Sequence, residues 1–519
     1  MLLRAVLFMS LCGCTVAMAR AADVPEANAL SLRLHRRLKQ ATTGTYALRQ
    51  QDVVWDGHKT AVVVCDMWDK HWCKGATSRV AEMAPRMNLF LEAARRKGAL
   101  IIHAPSACMA AYKDHAARRR AQAAPKAANL PKDVGGWCRG LPSEKGHTWP
   151  IDQADGGCDC EPKCKGGNPW RRQIDTLTIR DEDAISDSGV EVWNMVEQRG
   201  IANVMLVGVH TNMCVIGRPF GLRNMARFGK NVVLVRDLTD TMYNSRSAPH
   251  VSHFTGTDLV VEHIETAVCP TVASDQVLGG KPFRFKADRR PRVVLVAGET
   301  HHYGSEGNLR LLTEALRRKH GMCATLLVVE GQHDLHGAEL IDHADLLVLY
   351  VRRRVLRAEQ LKHIRAYLEA GRPLVAFRTT SHAFALRKGK GPEGTDGWPR
   401  FDRNVLGCNY AGHGSGDSEA RAAPGAAKHP ILTGITGPYR LQETLYRSQP
   451  LLEGTTLLMM GRSLGSKISD EPVAWTYAYK GGRVFYTSMG HSTTFQDAWF
   501  LRLVVNAVHW AMGSDVPAK

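Results

Sequence analysis

From Lys59 onward, runs of apolar residues alternate with stretches whose apolar positions recur at helical spacing. Ala61-Val62-Val63-Val64-Cys65 is apolar throughout and ends at Asp66, the pattern of a strand buried on both faces. A helix is predicted over about 85–97, opened by Pro85 at its tolerated first turn and closed by Gly98, with a strand following over 99–103. An irregular insert occupies about 109–172, after which apolar and polar residues alternate over 174–179 and predict a strand ending at Arg180. A helix over 191–199 stopped by Gly200, a strand over 204–209, a helix through Phe228 and a strand over 232–235 complete a first series. A second series places strands at 293–297, 324–329, 345–350, 373–377 and 481–487, with helices at 308–319, 357–370 and 499–512. The predicted fold class is therefore α/β, with two doubly wound domains built on mainly parallel sheets, in which ligands sit beyond the carboxyl ends of the strands. Asp66, His103, Arg180 and Cys214 all fall at or just beyond such ends.

With 519 residues, the chain is too long for one ordinary core, in keeping with two domains. The boundaries expected are a leader over 1–22, a first domain over about 55–270, a linker over 271–290 rich in Gly and basic residues, and a second domain over about 291–513. The leader has Arg4, a short apolar run from Ala5 to Leu11, and small-residue cleavage sites around Ala17 to Ala21. It predicts export to a periplasmic or extracellular space; a lipid-anchored alternative at Leu11-Cys12-Gly13-Cys14 fits a lipobox poorly. No later segment is apolar and long enough to span a bilayer. The formal net charge of +18 would suit a polyanion, but Lys and Arg are scattered and no nucleic-acid motif surrounds them. A solvated basic surface is the expectation, with a small molecule rather than nucleic acid as partner. The sequence leaves the oligomeric state open.

Removal of the leader would leave eleven of the thirteen cysteines. Cys138, Cys158, Cys160 and Cys164 gather around a Gly- and Lys-rich loop, where two disulfides are the first expectation after export and zinc the second. Cys214 stands apart. It follows an apolar strand through the bend His210-Thr211-Asn212-Met213, where a helix start would stabilise a thiolate; the competing reading is a buried structural cysteine.

Cys65-Asp66-Met67-Trp68-Asp69 and Gly208-Val209-His210-Thr211-Asn212-Met213-Cys214-Val215 together resemble the isochorismatase-like cysteine hydrolases over about 55–270. The resemblance implies a three-layer sandwich, Cys214 as nucleophile, Asp66 as general base, and a cis peptide between Val209 and His210 leading into Thr211. It implies an oxyanion site at the backbone N–H groups of His210 and Cys214, hydrolysis of a C–N bond in a small amide through a thioester, and no required cofactor. The family's supporting lysine has no counterpart after the 174–179 segment, where Arg180 is the nearest cation. Asp69 and His71 could bind a metal, but two groups do not make a site.

Residues of about 291–513 resemble the trehalose-utilisation (ThuA-like) family, which shares its sheet with class I glutamine amidotransferases. The stretches that carry this are Gly298-Glu299-Thr300-His301-His302, Gln442-Glu443-Thr444-Leu445-Tyr446, Pro472-Val473-Ala474-Trp475-Thr476 and Gly482 to His491. A glutaminase would need a cysteine after Phe377, where Arg378 stands instead. His301, His302, His382, His413, Glu443 and His491 are candidates to meet around a carbohydrate or a metal such as zinc. The combined expectation is an exported cysteine hydrolase joined to a carbohydrate-related domain, or alternatively a catalytically altered secreted protein that captures saccharide.

Overall fold

A computed structural model describes residues 24–299 and 302–518. The segment read as a leader, with Cys12 and Cys14, and His301 lie outside the described residues.

The first unit begins with two strands that the apolar pattern did not announce, β1 (Ala29–Lys39) and β2 (Tyr46–Asp56). In β1 buried Leu30, Leu32 and Leu34 alternate with exposed Ser31 and Arg33, and β2 carries Arg49, Gln50, Gln51 and Asp52 through its middle, so neither presents a continuous apolar run. The first sheet thus starts well before residue 55. It continues with β3 (Thr60–Cys65), α1 (Lys74–Arg96), β4 (Leu100–Ala104), α2 (Ala116–Ala123), β5 (Ala184–Ile185), α3 (Gly189–Gln198), β6 (Asn203–Val209), α4 (Leu222–Arg227), β7 (Asn231–Asp240), α5 (His253–Ala267), β8 (Thr271–Val272) and α6 (Asp275–Leu278). Strand order is β2-β1-β8-β7-β6-β3-β4-β5, parallel from β8 to β5, with the β1–β2 hairpin antiparallel at one edge.

Two local readings are corrected. Helix α1 starts at Lys74, so Pro85 lies inside it rather than at its first turn, because Ala76, Val80, Met83 and Ala84 already form its buried stripe. The 174–179 segment is not a strand. Its backbone turns, with the Leu177 amide on the Ile174 carbonyl, and Thr178 bonds to Asn88 and Arg95 of α1, leaving β5 to form later.

The second unit contains β9 (Arg292–Gly298), α7 (Ser305–Lys319), β10 (Cys323–Val328), β11 (Leu346–Val351), a two-stranded ribbon of β12 (Leu356–Arg357) and β14 (Thr395–Asp396), α8 (Ala358–Glu369) and β13 (Leu374–Phe377). There follow β15 (Ser418–Ala422), β16 (Tyr439–Leu441), β17 (Thr456–Ser463), β18 (Glu471–Tyr479), β19 (Gly482–Thr487) and α9 (Ala498–Met512). The sheet order is β10-β9-β11-β13-β19-β18-β17-β15-β16: five parallel strands extended by four antiparallel ones. Both units are α/β with mainly parallel sheets.

The hairpin joins the two units. Leu48 is buried among Val294, Val296 and Leu327 of the second, while His35 Nε2 lies 3.0 Å and Gln50 Nε2 2.6 Å from Glu339 Oε1. Glu262 of α5 accepts from Arg37 of β1 and from Arg317 of α7, each at 2.7 Å. Arg290, just before β9, reaches Asp258 of α5 at 2.7 Å.

Candidate functional site

In the first sheet the chain runs outward from β3 through β4 to β5, then returns to β6 on the other side of β3. The crevice between the ends of β3 and β6 is therefore the switch point where doubly wound sheets bind ligands. Asp66 immediately follows β3 and Cys214 lies five residues beyond β6. Gly208 is what lets them come this close. Its φ is +107°, and a Cβ there would lie 2.0 Å from the Cys65 carbonyl oxygen.

Beyond Gly208, the peptide between Val209 and His210 is cis. Thr211 is tied down by its hydroxyl, 2.7 Å from that of Thr239 and 2.9 Å from the Asp240 carbonyl. Asn212 closes a reciprocal pair with Met242, donating to its carbonyl at 2.9 Å and accepting from its amide at 3.0 Å. These bonds fix the bend that carries Cys214. His210 is buried and neutral, its pKa pushed down to about 3 by burial and by neighbouring His71.

Asp66 is fully buried, with φ +48°. One carboxylate oxygen accepts the Ser106 amide at 2.9 Å. The other accepts Arg218 Nε at 3.2 Å and Nη2 at 3.0 Å. Burial pushes the Asp66 pKa up, opposed first by Arg218 and then by hydrogen bonds from Cys214 and Ser106. Burial and the Asp66 charge push the Cys214 thiol up as well, with Arg218 pulling against them. Cys214 is therefore a neutral thiol beside a buried carboxyl group, not a standing thiolate.

Arg180 is not at this site, which corrects its expected role. It pairs with Glu92 of α1 and lies 3.6 Å from Glu182, near the Gly98 to Leu100 end of β4, opposite the end that carries Cys214. The cation paired with Asp66 is Arg218, four residues past Cys214, with its amide 3.0 Å from the Cys214 carbonyl. Its guanidinium also covers the Trp137 ring at 4.8 Å. The four-residue offset from Cys214 was the signal that could have found it. His103 is scaffold: its ring bonds Gln173 and Asp183 at 3.0 and 3.2 Å. Near His210, the ring of His71 lies 4.8 Å from the His210 ring, and Trp68 and Trp170 stack at 4.3 Å.

The cysteine loop departs from expectation twice. Every cysteine among the described residues is a free thiol, and Cys138 is elsewhere, held by the Gly217 carbonyl and by Arg223. Cys73, at the start of α1, joins Cys158, Cys160 and Cys164 in its place.

In the second unit the candidates surround Arg378, which follows β13 at φ +38° where a glutaminase would carry its cysteine. Arg378 is fully buried, ion-paired to Glu443, and packed 4.5 Å from the Tyr303 ring and 4.6 Å from the Tyr446 ring. Glu443 also accepts the Thr494 hydroxyl at 2.8 Å and the amides of Gly490 and His491 at 3.2 and 3.3 Å. The His491 ring lies 5.6 Å from Tyr303; His382 stacks on Tyr410 at 4.5 Å; His413 lies 6.2 Å from Tyr446. Burial, with Arg353 and Arg352 nearby, pushes the His382 pKa down to about 3. His302 is exposed, its amide on Glu299 at 2.7 Å. Among the described residues these histidines form no set of donors within metal-binding distance of one another. Tyr303 and Tyr410 were absent from the residues the sequence pointed to, Tyr446 entered only within a matching stretch, and Arg378 only for the cysteine it replaces.

Residues 292–511 match the ThuA family model, described as trehalose utilisation. No curated protein matches the chain by sequence. Among solved structures, the chain is similar to a ThuA-like protein from Bacteroides uniformis ATCC 8492, at 16% identity over 46% of this chain and 97% of that one, with a TM-score of 0.34. It is also similar to a cysteine hydrolase from Pseudomonas syringae pv. phaseolicola 1448A, at 16% identity over 43% of this chain and 92% of that one (TM-score 0.27). An isochorismatase family protein from Desulfovibrio vulgaris matches at 13% identity over 40% of this chain and 89% of that one (TM-score 0.22). At these identities the likeness is one of fold.

Proposed function

We propose that the first unit is a cysteine hydrolase that opens the C–N bond of a small amide through a thioester on Cys214. The observation that carries this reading is the buried Asp66 carboxylate beside Cys214, held by Arg218 and Ser106 at the sheet's switch point. Asp66 takes the Cys214 proton as sulfur attacks the amide carbonyl. The oxyanion forms towards the backbone N–H groups of His210 and Cys214. Asp66 then passes the proton to the departing amine and next takes one from water, which attacks the thioester, releases the acid and restores the thiol. Arg218 does the work of the family lysine by keeping Asp66 ionised in a buried setting. The stacked rings of Trp68 and Trp170, with His71 beside them, favour an amide with a flat acyl part. Export through the 1–22 leader belongs to the same proposal.

A panel of small amides offered to the parent protein and to Cys214→Ser tests it, alongside labelling with a thiol electrophile. Hydrolysis lost in the variant and labelling of Cys214 ahead of Cys65 and Cys269 are expected. Equal labelling of the three would remove Cys214 as nucleophile.

For the second unit we propose saccharide binding rather than glutaminase chemistry. Arg378 fills the nucleophile position, and the Tyr303, Tyr410 and Tyr446 rings lie close to His382, His413 and His491, a polar and aromatic set suited to sugar faces. Glycan binding that survives Cys214→Ser and is lost in Tyr410→Ala is the expected result.

A further inference from the structure

We propose that Cys73, Cys158, Cys160 and Cys164 bind one zinc ion in a closed, four-thiolate structural site. This inference is independent of the hydrolase reading. The sulfurs of Cys73, Cys158 and Cys160 all lie within 4.8 Å of one another. Cys73 Sγ and Cys160 Sγ are 3.7 Å apart, far beyond a disulfide bond of about 2.05 Å but close to the edge of a tetrahedron with Zn–S bonds of about 2.3 Å. Cys164 lies just outside that set of three but is the thiol placed to become the fourth ligand, within hydrogen-bonding reach of those of Cys158 and Cys160.

The surroundings favour thiolates on a metal. The Gly75 amide points at Cys160 Sγ from 3.2 Å and the Lys74 amide at Cys164 Sγ from 3.5 Å, so the first N–H groups of the 23-residue helix α1 face the sulfur cluster. Residue 75 has to be small there. A Cβ would lie 2.9 Å from Asp159 Oδ1 and 3.4 Å from Cys160 Sγ. Cys73 is the start of a helix and the other three belong to a loop more than eighty residues later, with almost no regular structure of its own. A metal would supply the loop with the anchor that its few apolar contacts, to Ala76, Met242, Trp72 and Met213, do not. Binding would release the thiol protons to solvent and form four Zn–S bonds, leaving an anionic centre beside Lys74 and Arg79.

The anchor also reaches the hydrolase crevice. Asp159, between two of the ligands, holds Arg79 Nη1 at 2.8 Å, and Arg79 Nε holds Asp240 at 2.7 Å. Asp240 in turn carries Thr211 on its carbonyl and His253 on its carboxylate at 2.8 Å. Zinc would thus fix the floor under the His210 to Cys214 bend.

The full-length protein, purified without chelator, should carry about one zinc per chain by elemental analysis. Cobalt exchanged into it should show the strong visible bands and sulfur-to-metal charge transfer of tetrahedral thiolate coordination, a reading that needs no variant. Cys164→Ser should lose the metal and Cys138→Ser keep it. Three results would overturn the proposal: metal-free protein with disulfides among these four cysteines, metal-free protein with four alkylatable thiols, or zinc that stays in Cys164→Ser and leaves in Asp69→Ala.

Discussion

Replacing Arg218 by methionine isolates what the guanidinium does for Asp66. Two of its N–H groups reach one oxygen of a carboxylate that has no exposure to solvent. Unit charges about 4 Å apart attract by about 4 kcal/mol at an effective dielectric near 20, close to a thousandfold in a protonation equilibrium. Burial already pushes the Asp66 pKa up and Arg218 is the largest opposing influence, so without it the carboxyl would be protonated over much more of the accessible pH range. A protonated Asp66 cannot take the Cys214 proton. The expected result is an acid limb of kcat/KM displaced to higher pH, a fall of at least about tenfold near neutrality, and slower labelling of Cys214 by a thiol electrophile over the same range. Arg218→Lys keeps the charge and should recover much of the loss, whereas Arg180→Met, on the opposite end of the sheet, should leave the profile in place. An unchanged acid limb in Arg218→Met, with the protein folded by circular dichroism, would refute the assignment of Arg218.

Gly208→Ala would force a Cβ to within 2.0 Å of the Cys65 carbonyl and should destabilise the first unit by about 1–3 kcal/mol or more, read as a fall in its unfolding midpoint, with loss of Cys214 labelling. Glu443→Gln strips a buried guanidinium of its only ion-pair partner among the described residues and should cost about 3–5 kcal/mol in denaturant unfolding; a cost below about 1 kcal/mol would mean that the aromatic faces alone hold Arg378. Burial raises the Glu262 pKa, but Arg317 and Arg37 outweigh it and hold the group down to about 2, against about 4.3 in an unfolded chain. Its stabilisation is therefore present above pH about 4.3 and lost as pH falls towards 2, so the gap in melting temperature between parent and Glu262→Gln should narrow over that interval. A gap that stays constant from neutral pH to pH about 2.5 would exclude Glu262 as the titrating group.

The parallel strands were legible because strands covered on both faces must be apolar throughout, as Val62, Val63 and Val64 are. Strands β1 and β2 were not, since a hairpin at a sheet edge can carry Arg33, His35 and Arg37 as partners for carboxylates. The 174–179 alternation misled because the segment turns on itself and the backbone amide and carbonyl of Thr178 bond to Asn88 and Arg95 of α1 instead of a neighbouring strand. In the first crevice Asp66 and Cys214 could be found as strand-end residues. Arg218 could not be found by looking for a strand end, because it acts from the turn after the nucleophile. The same holds for Cys73, which is distant in sequence and becomes a neighbour of Cys160 only through folding.

The hairpin that opens the described chain also sets an order of events during synthesis. Strand β1 meets the sheet beyond β2 through a single pairing, His35 with Thr271 of β8, and the buried apolar residues clustered with Leu48 all lie beyond 290. At about 5–20 residues per second, the ribosome needs roughly 10–50 s to travel from the end of β1 to β8. For that time β1 is paired with β2 alone and its other side has no strand beside it, an exposed template for mispairing, and Leu48 waits longer still for Val294 and Leu327.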